Sequence, residues 1–402
     1  MRELGKILVV SQHYPPDPTT TATYIGDIAG ALAADRRVLV LSGSRDSATS
    51  GTANPQVIEI ARATASKDAL LRRAVAISWL AIRMFFATLW RAERQDVVFC
   101  VTTPFTLPYG VMLAARLRGA ATVLLIYDLY PEALQAAGLA QPSSLTARAI
   151  RRANAMMFRR LDAIITIGRD VAPLLLAYGG VAREKIHFIP NWTLLPAVWR
   201  AVAADNRFRA GRQNQLIVGL SGNLGFTHDP RTMFEAARLL RDNDDVHFLL
   251  SGWGIGWSEL NELQAKAQLG NVTLLPPVPQ HDLIDFLSAA DIWVIPYRRN
   301  IAGVSIPSRL YNLLAIGRAI IVAAEENTEA ALVIGEEKIG WVAPPEEPAA
   351  LAQAIARAAE DRTDVIDKGR RAAAAAAKYS PEIALARYRD VILQTRSRDQ
   401  RS

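Results

Sequence analysis

A chain of 402 residues, 50% of them hydrophobic and 21% charged, is a folded globular protein too long for a single hydrophobic core, so two domains are expected. The formal net charge of +7 points to an anionic partner: a nucleotide, a nucleic acid or an acidic membrane. The one cysteine, Cys100 in the apolar run VVFCV, excludes an internal disulfide and a cysteine metal cluster, and it suits a core position in a reducing compartment.

The start, MRELGKILVV, carries no secretory pattern, which predicts a cytoplasmic protein. From there short apolar runs alternate with helical patterns: KILVV, a helix near Tyr24 to Ala34, VLVLS, VVFCV, ATVLLIYD, AIITI and KIHFIP. The series restarts at QLIVGLSG and continues through VHFLLSG, VTLLPPV, IWVIPY and AIIVAA. Such alternation predicts parallel sheets, here two doubly wound α/β domains. The turn-rich, charged segment PNWTLLPAVWRAVAADNRFRAGRQ reads as the linker. Domains of 1–190 and 191–380 follow, with a last helix from about Pro381.

Two segments suggest a surface partner. Residues 70–90, LLRRAVAISWLAIRMFFATLW, form the most apolar helix, but Arg72, Arg73 and Arg83 interrupt it as a membrane span. It is either a buried domain helix or one lying in the membrane interface, with Trp79, Phe85, Phe86 and Trp90 inserted. Residues 148–160 add Arg148, Arg151, Arg152, Arg159 and Arg160, interleaved with Met156, Met157 and Phe158, and strengthen the interfacial reading.

Chemistry-bearing residues gather after strands. Beyond KILVVS, the loop QHYPPDPTTTATY lacks the glycine fingerprint of a dinucleotide site, and Thr20 and Thr21 either face a sugar or phosphate or belong to helix capping. Asp128 in YDLYPE can orient a hydroxyl or accept its proton, with Glu132 and helix capping as the plain alternative, and is preferred over His13. Asn223 and Gly225 in SGNLGFTHD, and Gly252 in SGWGIGW, allow backbone to approach a ligand. In NIAGVSIPSRLYNLLAIGRAI, Pro307 suits a first helical turn, Ser305 and Ser308 supply hydroxyls, and Gly317 fits just past the last turn. Arg309 and Asn312 share one face there, so the helix start is an anion site or an ordinary capped helix with a surface arginine.

Taken together, HYPPDPTTTATY, YDLYPE, IITIGRDVAPLLLAYGGVAREKIHFIPNW, SGNLGFTHD, PPVPQHDLIDFLSAADIWVIPY and IPSRLYNLLAIGRAI resemble the retaining GT-B glycosyltransferases of family 4, and most of all the WbuB/WcaI-like group of bacterial exopolysaccharide and O-antigen enzymes. The likeness implies two facing Rossmann-like domains with a deep interdomain cleft. It also implies a last helix crossing back to the first domain, the donor nucleotide in the second domain and the acceptor in the first. It places Asn223 and Gly225 near the donor phosphates, Arg309 as their positive charge and the base near Pro277 and Val278. Where many relatives carry two glutamates eight residues apart, this chain has Val304 and Asn312; the usual histidine of the first domain is Tyr127, and the basic pair after the glycine loop is absent from GFTHDPRT.

The implied reaction moves a sugar from a UDP- or GDP-sugar to a polyprenyl-diphosphate-linked or other membrane-associated glycan, with no metal, no cofactor and no nucleic acid involved. The enzyme is expected on the inner face of the plasma membrane. A sugar-nucleotide epimerase or a phosphorylase on the same fold is the enzymatic alternative. A membrane-surface protein with a degenerate nucleotide pocket is the non-enzymatic one.

Overall fold

The computed structural model describes residues 5–43, 53–60, 70–203, 205–209 and 211–399; for 70–74 and 396–399 it describes the backbone alone. The chain divides into two compact units, one of Met1–Tyr130, Ser143–Pro190 and Glu382–Ser402, the other of Pro131–Pro142 and Asn191–Pro381. The short segment Pro131–Pro142, assigned by the strand series to the first domain, groups with the second unit.

The first unit runs β1 (Ile7–Ser11), α1 (Thr20–Ala33), β2 (Val38–Ser42), β3 (Gln56–Glu59), α2 (Leu70–Arg91), β4 (Val97–Val101), α3 (Leu107–Leu117) and β5 (Ala121–Ile126). After α4 (Glu132–Ala136), which lies in the second unit, it resumes with α5 (Leu145–Arg160), β6 (Ala163–Thr166), α6 (Val171–Ala177) and β7 (Ile186–Phe188). Its seven strands are parallel in the order β3-β2-β1-β4-β5-β6-β7. β1, β2 and β4 are buried along their whole length, as strands covered on both faces must be, which is why they read as unbroken apolar runs.

The second unit holds β8 (Leu216–Asn223), α7 (Pro230–Leu239), β9 (Val246–Trp253), α8 (Ile255–Ala267), β10 (Val272–Leu275), α9 (Leu283–Ala289), β11 (Ile292–Pro296), α10 (Arg309–Ile316), β12 (Ala319–Ala323), α11 (Glu329–Glu337), β13 (Gly340–Ala343), α12 (Pro348–Glu360) and α13 (Arg362–Ala376). Its parallel sheet has the order β10-β9-β8-β11-β12-β13, with the chain reversing direction across the sheet between β8 and β11. The first sheet reverses in the same way between β1 and β4. In doubly wound sheets ligands bind beyond the carboxyl ends of the strands at these reversals.

The last helix, α14 (Pro381–Asp399), belongs from Glu382 onward to the first unit, where Tyr388 is buried and its ring meets Phe99 edge-on at 6.3 Å. The segment after Pro190 is built into the second unit rather than strung between domains. Trp192 is buried, the Thr193 N–H donates to Tyr379 O at 3.1 Å, and the Val198 N–H donates to Ala315 O at 3.1 Å.

Candidate functional site

α10 begins at the reversal of the second sheet. Its first residue, Arg309, reaches back to the end of β8: Nη1 donates to Ser221 O at 2.6 Å and Nη2 to Asn223 O. Both acceptors are neutral carbonyls, and Arg309 forms no ion pair among the described residues. Burial pulls its guanidinium down to about 10, still charged at neutral pH. The local fold therefore holds a positive charge in a partly desolvated place without a carboxylate to balance it, which favours an incoming anion.

His228 completes the corner. Its Nε2 lies 3.3 Å from Arg309 Nη2, and its Nδ1 lies 3.3 Å from Thr227 Oγ1. Since guanidinium only donates, Nε2 must be the acceptor, so the proton sits on Nδ1 and the ring is neutral. Burial first, and the charge of Arg309 second, hold its pKa well below the ordinary value. The ring stacks on Tyr297 with centroids 5.1 Å apart, and Arg298 N donates to Thr227 O at 3.1 Å, so the loop after β8 is laid along the end of β11.

The hydroxyls of Ser305 and Ser308 have no hydrogen-bond partner among the described residues, and Ser308, the N-cap of α10, does not spend its side chain on capping. The helix ends at Gly317, whose φ of 71° is the left-handed conformation that residue admits without strain. Asn312 is tied elsewhere: its Oδ1 accepts from the Leu194 N–H at 2.9 Å and pins the incoming linker to α10.

Asn223 is exposed at the tip of β8, and a Cβ built on Gly225 has Asn223 Nδ2 at 3.6 Å as its nearest neighbour, an ordinary contact. Gly252 has a packing duty, since a Cβ there would stand 2.4 Å from Gly222 O on the neighbouring strand. Pro277 is exposed and Val278 half-buried after β10, at the same carboxyl edge, where Ser251 Oγ donates to Pro276 O at 2.8 Å.

In the first unit, Thr19 is the cap of α1, its Oγ1 accepting from Ala22 N at 3.3 Å, while Thr20 is exposed and Thr21 half-buried in the first turn. Asp128 follows β5 and does not cap α4, whose N-cap is Pro131. It borders a small depression with Phe105, Tyr109, Tyr130 and Asn154. Asn154 organises that wall, accepting from Tyr109 Oη at 2.7 Å and donating to Tyr130 O at 2.5 Å. His13, at the end of β1, holds Asp17 at 2.7 Å through Nδ1. Tyr127 is half-buried and its hydroxyl oxygen has no partner among the described residues.

Comparison with known proteins assigns both halves. Residues 19–192 match the glycosyl transferase 4-like domain, and residues 203–379 match glycosyl transferases group 1. The chain is a glycosyltransferase, its first half of the 4-like kind and its second half of group 1. WbjE of Pseudomonas aeruginosa, named a probable glycosyltransferase, is 25% identical over 359 residues, spanning 88% of this chain and 89% of its own. WcaI of Escherichia coli K12, named for glycosyl transfer in colanic acid biosynthesis, is 28% identical over 351 residues, spanning 81% and 84%. HepE of Anabaena, solved in complex with UDP, superposes with a TM-score of 0.70 at 15% identity, covering 98% of this chain and 99% of that one, which shows the shared GT-B fold.

Two residues of this glycosyltransferase's corner are not evident from sequence. His228 sits in a loop that reads as the run-up to a helix, since Asp229 caps α7. Arg298 offers a second cation beside Thr227, with a buried Nε that has no partner among the described residues. The only sequence signal for either is a polar residue just past an apolar strand.

The glycosyltransferase should lose stability in mild acid. His247 on β9, bonded through Nε2 to Thr273 Oγ1 at 2.8 Å, is drawn down to about 4 by burial and then by Arg212. Both His228 and His247 stay neutral when folded but take a proton near the ordinary histidine value when unfolded. Their contribution is thus fully present above about pH 7 and is lost as pH falls below about 6.5, at up to about 1.4 kcal/mol per pH unit for each. Urea unfolding between pH 7.5 and 5 should show this slope, and His228→Gln or His247→Gln should each flatten it.

Proposed function

We propose that this glycosyltransferase moves a sugar from a UDP- or GDP-sugar to a polyprenyl-diphosphate-linked or other membrane-associated glycan, with retention at the anomeric carbon, in bacterial polysaccharide biosynthesis. The observation that carries the reading is Arg309: a tethered, partly desolvated cation without a carboxylate partner among the described residues, at the start of α10 and at the reversal of the sheet. The UDP complex of the similarly folded HepE and the naming of WcaI for colanic acid biosynthesis support the donor and the product class.

In this reading the donor diphosphate lies against Arg309, Ser305, Ser308 and the loop of Asn223 and Gly225, with the base near Pro277 and Val278. Breaking the bond from the anomeric carbon to the diphosphate oxygen leaves an oxocarbenium-like sugar and a growing negative charge, which Arg309 and the helix start stabilise. The acceptor hydroxyl attacks the same face, and its proton leaves with the departing diphosphate oxygen. Neutral His228 keeps the guanidinium aimed without adding a charge. A thermal-shift screen of UDP-, GDP-, ADP- and dTDP-sugars, followed by transfer to a membrane lipid extract, tests it. Stabilisation by one donor and an α-linked product from an α-donor are expected; an inverted product, or turnover of the donor without any acceptor, overturns it.

Membrane contact is part of the proposal. No helix among the described residues is long and apolar enough to cross a membrane. α2 buries Leu80, Met84, Ala87 and Thr88 yet leaves Val75, Trp79, Ile82, Phe86 and Trp90 exposed in one stripe, Trp90 at 75%. Phe85 instead turns toward α3, where a Cβ on Gly110 would stand 3.3 Å from it. α3 exposes Leu113 and Leu117, α5 exposes Leu145 and Met156, and Arg83, Arg148 and Arg152 are exposed as well. The side chains of Arg72 and Arg73 lie outside the described residues. Replacing Trp79, Phe86 and Trp90 with serine should shift most of the protein from vesicles containing anionic lipid to the supernatant in a sedimentation assay, with thermal stability retained because all three are exposed. Undiminished sedimentation would remove membrane contact from the proposal.

A further inference from the structure

A cavity of about 480 Å³ in the second unit opens at the amino edge of its sheet, the edge opposite Arg309. Asp291 immediately precedes β11 and Arg318 immediately precedes β12, whereas Arg309 starts α10, whose eight residues span about 12 Å. The volume suits a small-molecule ligand. The wall is chemically lopsided: Arg200, Arg209, Arg318, Arg362 and Arg370 face one carboxylate, Asp291.

Part of that charge is explained by the fold. Arg318, 5% exposed, caps helix ends, donating through Nε to Ala290 O at 2.9 Å and through Nη2 to Ser288 O at 2.9 Å, while Nη1 reaches Arg200 O at 2.8 Å. Arg209, 4% exposed, donates to Ala289 O at 3.0 Å and Gln215 O at 2.8 Å. Carbonyls satisfy these donors but do not neutralise them. Asp291 already takes Arg209 Nη1 at 3.2 Å and the Ile217 N–H at 2.8 Å, and it must also serve Arg362 Nη1 at 3.8 Å. Burial lowers Arg318 to about 10, and Arg209 lowers it further while Asp291 opposes. At the rim Arg370 pairs with Asp367 at 3.0 Å and lies over the Trp199 ring at 5.1 Å, and the Arg200 side chain has no partner among the described residues.

From this excess of cations over carboxylates, two of them buried, around a cavity of ligand size, we infer a second anion site, which takes a small soluble phosphate or diphosphate compound and is separate from the donor site. Its apolar side, Val365, Ile366 and the Trp199 ring, leaves room for a compact organic portion beside the phosphate. Guanidinium groups match phosphate oxygens geometrically, and the low exposure of Arg209 and Arg318 limits screening by salt.

Titrating the full chain with inorganic pyrophosphate by calorimetry, at constant ionic strength, tests the site in an Arg309→Ala background that weakens the donor site. A saturable site should persist there, and adding Arg200→Ser with Arg370→Ser, both exposed positions that folding does not depend on, should weaken it at least tenfold. Ile366→Trp, which narrows the mouth without touching an arginine, should do the same. Loss of all pyrophosphate binding with Arg309→Ala alone, or binding that neither the double substitution nor Ile366→Trp weakens, would overturn the inference.

Discussion

Replacing Arg309 with alanine is expected to cut sugar transfer by about 100- to 1000-fold, the usual loss when one preorganised donor to a developing oxyanion is removed. The guanidinium at the start of α10 is both charged and held rigid, by Ser221 O and Asn223 O on β8. Its loss removes the leaving-group charge and releases the tip of the strand together. Stability should change far less. Arg309 loses solvation on burial, which draws it down to about 10, and its bonds go to neutral carbonyls. Arg309→Lys should fall in between, because a point charge cannot grip two carbonyls and a phosphate with one planar fork. Steady-state kinetics with the stabilising donor, alongside thermal melts, checks both halves; an alanine variant within tenfold of the parent would remove Arg309 from the reaction.

The largest stability effect is expected at Asp291. Among the described residues this is the one carboxylate that pairs with Arg209, at 3.2 Å, and it offsets the burial of Arg318; those arginines are 4% and 5% exposed. Breaking a buried pair from one side leaves the other charge stranded, at about 3–5 kcal/mol. For a unit of about two hundred residues, that loss corresponds to a melting temperature lower by roughly 6–20 °C. Asp291→Ala should therefore destabilise the second unit strongly, and Asp291→Ala with Arg209→Met should recover much of the loss, since an apolar pair costs little where an unpaired ion costs much. A loss under 1 kcal/mol in urea unfolding would show that the carbonyls around Arg209 suffice without the carboxylate.

What could be read in the sequence follows from burial. Strands such as VVFCV and AIIVA are covered on both faces, so they appear as plain apolar runs. β3 and β13, two of the edge strands, escape that reading because they lack an apolar run: QVIE buries one residue of four, and GWVA is half-exposed and led by Gly340, where a Cβ would collide with Ile320 O. The same division holds at the site. Arg309 and its serines show themselves because a helix start has local grammar. His228 does not, since its meaning comes from a guanidinium 81 positions away. Asn312 shows the reverse, a residue on the expected face whose amide oxygen is taken by Leu194, 118 positions earlier. Likewise the five arginines of the amino-edge cavity lie scattered between positions 200 and 370, and only the packing of α13 and the linker near α10 gathers them.

In the proposed reaction a nucleotide diphosphate binds at the start of α10. Amide hydrogen exchange of the full chain, with and without the nucleotide that stabilises it most, tests that directly. Protection should concentrate at residues 223–228 and 305–311 and disappear in Arg309→Ala. Protection confined to other segments, or equal protection in the alanine variant, would contradict it.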